Sequence, residues 1–208
     1  MKQILRGTGK VLLPVIILIG ILLPSCKNQR LAIPEYIEYV RSSQHGLMNT
    51  IHKNGFQFTS LYESADYLTL KELRNVKVTK ENFESTRTKF VDYLYFDFSI
   101  KTEPDKKILD PTDSSGFERK YNYFSFEISK DIFLLYKTDT LSCLMHQFTS
   151  GNGITPEYHL ELMFERPSST LSSSDSLYFI YKDQILNTGN VQIPTLVKDI
   201  ENTPQLKI

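Results

Sequence analysis

The sequence predicts an α+β domain that is mainly β: an antiparallel β-sandwich or barrel-like body with short N-terminal helices. Three observations point there. In YLYFDFSIKT (93–102), Leu94, Phe96, Phe98 and Ile100 alternate with Tyr95, Asp97 and Ser99, the period-2 signature of a strand with one buried face. From residue 120 onward, short apolar segments follow one another between turn-forming residues, the spacing of a sandwich or barrel. Ahead of them, EYIEYVRSSQHGLMNTIHK (35–53) has helical spacing, which makes the class α+β rather than all-β.

The chain opens with Lys2, Arg6 and Lys10, and its first acid is Glu35. VLLPVIILIGILL (11–23) is an apolar run of 13 residues, so residues 1–25 read as a secretory signal peptide. Crossing a bilayer takes about 20 apolar residues, and Pro14 and Gly20 weaken this run as a helix. It closes on Leu23-Pro24-Ser25-Cys26. Here the chain resembles the bacterial lipoproteins, whose lipobox places an apolar residue three positions before a cysteine and a small residue just before it. The resemblance implies a diacylglycerol thioether and an acylated amino terminus on Cys26; two or more acyl chains anchor stably where one binds marginally. Lys27 follows the cysteine where surface-exported lipoproteins of the Bacteroidota often carry acids. The resemblance therefore implies the periplasmic face of the outer membrane. Residues 26–34 form the lipidated cysteine and its tether, and 35–208 one domain.

Within that domain, Ile37, Val40, Gln44, Leu47, Met48 and Ile51 share a helical face over 35–53, with Pro34 tolerated in the first turn and Gly46 a point where the helix can divide in two. Asn54-Gly55 is a turn signal. FQFTSLYES (56–64) alternates as a strand, ADYLTLKEL (65–73) forms a helical turn, and TKENFESTRTKF (79–90) a short helix capped by Thr79. After the 93–102 strand, DPTDSSG (110–116) reads as a loop. Strands are then expected at 120–129, 132–138, 140–148, 157–165, 176–182 and 189–194.

Once Lys2, Arg6 and Lys10 are removed, 21 basic residues face 24 acidic ones, which leaves no basic stripe for nucleic acid. The second cysteine, Cys143, falls on an apolar strand face and has no disulfide partner if Cys26 is acylated. The EYIEYV…GLMNTI segment, ADYLTLKEL, the aromatic strands and the closing ILNTGNVQIP resemble a group of uncharacterised Bacteroidota lipoproteins. That resemblance implies an envelope location and a β-rich domain, and no reaction.

Two constellations could carry chemistry. A symmetric hairpin of 140–148 with 157–165 sets His146 opposite His159 with Glu161 on the same face, a set suited to zinc; the competing reading is two unrelated histidines on a solvated face. His45 and His52, seven apart, are read as surface residues. Tyr93, Tyr95, Tyr121 and Tyr123 could line an exposed sheet face for a glycan or protein partner; the competing reading places them around the core. No nucleophile elbow or phosphate-cradling glycine loop is present. The expectation is thus a non-enzymatic, lipid-anchored interaction or structural module of an envelope assembly with no cofactor beyond the lipid. The alternative is a glycan- or small-ligand-binding lipoprotein.

Overall fold

The computed structural model describes residues 30–102, 107–150 and 157–208. The expected signal peptide and Cys26 lie outside the described residues.

Strand β1 (Arg30–Leu31) leads into helix α1 (Ile33–Arg41), which carries Pro34 and Glu35 in its first turn and buries Tyr36 and Val40. The helix ends there. One 3-10 turn, Ser43–His45, runs into Gly46, whose φ of 72° lies in the left-handed region. Residues Met48–Lys53 then form β2 rather than a second helix. The reason is non-local: Asn54 (φ 50°) and Gly55 (φ 78°) make a two-residue turn with both φ positive. That turn folds β2 back on β3 (Phe56–Glu63), pairing Ile51 with Phe58.

Ser64 caps α2 (Ala65–Glu72) by accepting from the Tyr67 amide. Thr79 caps α3 (Lys80–Arg87) in a reciprocal box with Asn82. Strand β4 (Leu94–Thr102) follows, its Leu94, Phe96, Phe98 and Ile100 almost fully buried.

The expected strand at 120–129 is helical instead. Asp113 caps α4 (Ser114–Asn122), which continues as a π-turn over Tyr123–Glu127 and a 3-10 turn over Ile128–Lys130. Phe117, Phe124 and Ile128 pack inward, a spacing a helix brings to one face, while Phe126 is 71% exposed. The segment's alternating tyrosines and phenylalanines imitate a strand but are not buried at period 2.

Strands β5 (Ile132–Tyr136), β6 (Asp139–Ser150), β7 (Glu157–Phe164), β8 (Ser176–Lys182) and β9 (Asn190–Leu196) complete one eight-stranded antiparallel sheet, ordered β2-β3-β4-β7-β6-β5-β8-β9. The sheet is nearly closed. Across the remaining seam Lys53 Nζ donates to the Asn190 carbonyl at 2.6 Å and Asn54 Nδ2 to the Asn187 carbonyl at 3.3 Å. Pro194, which has no N–H to give a ladder, lies on the edge strand β9 where it is tolerated. Helix α5 (Val197–Glu201) and β10 (Gln205–Leu206) end the chain, β10 pairing in parallel with β1.

The lumen is packed. Phe98 of β4 meets Phe179 of β8 at 4.7 Å between ring centroids and Tyr181 at 5.7 Å, although β4 and β8 are not neighbours in the sheet. Aromatic side chains from opposite walls therefore fill the interior, with Ser60 buried and, among the described residues, unpartnered opposite Phe98.

Candidate functional site

The hairpin β6–β7 does not bring the two histidines together. A bulge between Cys143 and Met145 shifts the register, so His146 opposes Leu162 and His159 opposes Thr149. An odd shift sends a side chain to the other face. His146 turns inward, where its Nε2–H donates to the Ser125 carbonyl at 3.0 Å. His159 and Glu161 stay on the outer face. The expected ligand set His146, His159 and Glu161 is thus divided between two faces. Met145, expected on the core face with Cys143, is 57% exposed for the same reason.

What His159 does meet is Asp97 of the neighbouring strand, Nδ1 to Oδ1 at 3.1 Å, with Glu157 at 3.8 Å from Nε2. The hydrogen bond to Asp97 raises the imidazole's pKa against the opposing effect of partial burial. Alongside, the Glu63 carboxylate is buried and takes the Lys71 ammonium at 2.9 Å, which also reaches Glu161 at 2.9 Å. Burial pushes Glu63 up to about 7 despite Lys71. Lys71 is less buried and shared between two carboxylates, so it holds its proton more tightly than usual.

The four tyrosines do not share a face. Tyr123 is buried in the π-turn, its hydroxyl donating to Asp131 at 2.9 Å. Tyr121 rides on α4, stacked on Phe117. Tyr95 points outward from β4 against the edge of Phe90. Tyr93 lines a cleft. Cys143 is half-buried against the core; burial lifts its thiol to about 11 and keeps it protonated at neutral pH.

The cleft that Tyr93 joins has a volume of about 320 Å³. Its walls come from α1 (Tyr36), the end of β3 and start of α2 (Tyr62 to Asp66), α3 (Arg87), the segment before β4 (Phe90, Val91 and Tyr93), Arg166 and the residues leading into β10. Tyr62 packs its ring on Phe96, 5.5 Å away and edge-on, and is 8% exposed. Burial raises its pKa, so the phenol stays protonated and able to donate. The Tyr36 hydroxyl pairs with Ser64 Oγ at 2.8 Å. Arg87 is fixed through Nε by Asp66, and Arg166 through Nε by the Val91 carbonyl at 3.1 Å. Sequence reasoning found Tyr93 and missed the rest, because the arginines stand in unrelated segments joined only by the tertiary fold.

No protein-family model and no curated protein matches this chain. Among solved structures it is similar to the crystal structure of a novel protein of unknown function from Burkholderia pseudomallei. The identity is 12%, the match covers 84% of this chain and 93% of that one, and the TM-score is 0.39.

Proposed function

We propose that the protein is a lipid-anchored, non-enzymatic interaction module of the bacterial cell envelope, held through Cys26 at the periplasmic face of the outer membrane. The observation that carries the interaction reading is a set of exposed apolar side chains around one joint. Phe126 and Tyr121 lie in the α4 segment, and Leu144 and Met145 at the β6 bulge. The His146–Ser125 hydrogen bond fastens the two segments together. Scattered apolar residues are ordinary on a surface, whereas a grouped set favours a partner. The tether supports the anchoring reading: Arg30, four positions past Cys26, is already paired with Gln205, so an acylated Cys26 would hold the domain within about 14 Å of chain.

Crosslinking in native membranes followed by affinity capture tests both parts. The expected result is a reproducible set of envelope proteins, lost with Cys26→Ala and depleted with Phe126→Asp or Met145→Asp. Capture unchanged by all three substitutions would overturn the proposal. A second reading, a small-ligand binder, is favoured by the rim cleft.

A further inference from the structure

We infer that the rim cleft is a binding site for a phosphate group, with Arg87, Arg166 and Tyr62 as its donors. The inference deepens the small-ligand reading and stands without the lipid anchor, since every contact it uses lies in the described domain.

The argument begins with the arginines. Each guanidinium is held by its Nε, and neither has a further hydrogen-bond partner among the described residues. The terminal nitrogens are the fork with which arginine takes oxyanions, and fixing Nε first lowers the entropy lost when a ligand binds. Tyr62 supplies a third donor. It is more than nine-tenths buried, lines the cleft, and its hydroxyl has no partner among the described residues. Its oxygen is open to the cleft, where an acceptor entering would take the phenol proton in place of water. The first turn of α2 also opens here through Ala65 and Asp66; first-turn amides have no intrahelical acceptor and favour an anion.

The charges leave room for that anion. Asp66 offsets Arg87, and Glu63, which also borders the cleft, is engaged by Lys71; the Arg166 charge has no counterpart among the described residues. Two forks and a phenol that line one cleft from separate walls suit a tetrahedral oxyanion better than a planar carboxylate. Tyr36, Phe90, Val91, Tyr93 and Pro204 form apolar walls for whatever carries the phosphate. The carrier can be a soluble phosphate ester or a phospholipid headgroup, because β10, which borders the cleft, pairs with the strand that leads back to Cys26.

The test is isothermal titration of the full-length protein in neutral detergent with inorganic phosphate and with glycerol phosphate. Saturable binding is expected, weakened about tenfold or more by Arg166→Gln and severalfold by Tyr62→Phe. Arg119→Gln on α4, outside the cleft, should leave it unchanged. Tyr62→Phe keeps the ring and removes only the hydroxyl, so it reads the site even if Arg166→Gln disturbs the fold. Displacement of phosphate by micelles doped with phosphatidylglycerol, and not with phosphatidylcholine, would support the site and assign a lipid headgroup; no displacement would support it and assign a soluble ester. Absence of saturable phosphate binding, preference for acetate over phosphate, or equal affinity in Tyr62→Phe and Arg166→Gln would overturn the inference.

Discussion

Glu63 shows how burial sets the behaviour of one group. Its carboxylate is 3% exposed beside Lys71, and burial lifts it to about 7 from an ordinary 4.5. The folded chain therefore binds more protons than the unfolded chain between those values. Stability should fall as pH rises through that window and recover as pH is lowered. His159, raised by Asp97, works in the same direction: its contribution is complete below the ordinary imidazole value and is lost as pH rises through the folded one. Glu63→Gln should flatten the wild-type pH dependence, with a difference on the order of 2 kcal/mol between pH 5 and pH 7.5. Urea unfolding at both pH values checks it; parallel wild-type and variant slopes would contradict the assignment to Glu63. At this scale the sequence displayed His159 and Glu161 but not their partners. Asp97 and Lys71 reach them across strands and from α2, and no local spacing announces such a pair.

Elements formed where local chemistry and tertiary packing agreed. The cap at Thr79, the alternation of β4 and the Asn54-Gly55 turn were legible, because each is written within a few residues. Two segments were misread. Residues 48–53 carry a helical spacing that the β3 edge overrides by offering a strand partner. Residues 120–129 alternate like a strand, yet the Asp113 cap upstream and the apolar spacing from Phe117 to Ile128 make them helical. Gly46 is the punctuation of the first error. It has φ 72°, and a Cβ there would come 2.1 Å from Asp199 Oδ2 of α5. Gly46→Ala should cost about 1–2 kcal/mol, from the left-handed backbone and from displacing Asp199. Thermal unfolding measures this; a variant as stable as wild type would mean that the turn relaxes freely.

The whole molecule is a sheet that almost closes on itself. The cross-lumen packing of Phe58, Phe96, Phe98, Phe179 and Tyr181 holds the wall in shape, while the β2–β9 seam is bridged by side chains. Such a seam should open before the core does. Lys53→Met removes the 2.6 Å bond to the Asn190 carbonyl while keeping most of the stem. It should destabilise the fold by about 1 kcal/mol. Amide exchange should speed up in β2 and β9 and stay slow in β4 and β7. Uniform acceleration along all strands would show that the seam is not a separate unit. Among the described residues no helix is long and apolar enough to cross a membrane.

By itself the sequence determined the mainly β class, most strand positions and the Thr79 helix cap. These depend on side-chain alternation, turn residues and capping groups that act over a few positions. Tertiary structure decided the rest. The bulge between Cys143 and Met145 parted His146 from the face of His159, because a shift of one position reverses every side chain beyond it on that strand. The closing of the sheet filled the lumen and moved the available chemistry to the rim. There Tyr62, Arg87 and Arg166, from separate stretches of chain, line one cleft. No pattern of spacing encodes that meeting; it follows from how the strands are paired and where α2, α3 and β10 pack against them.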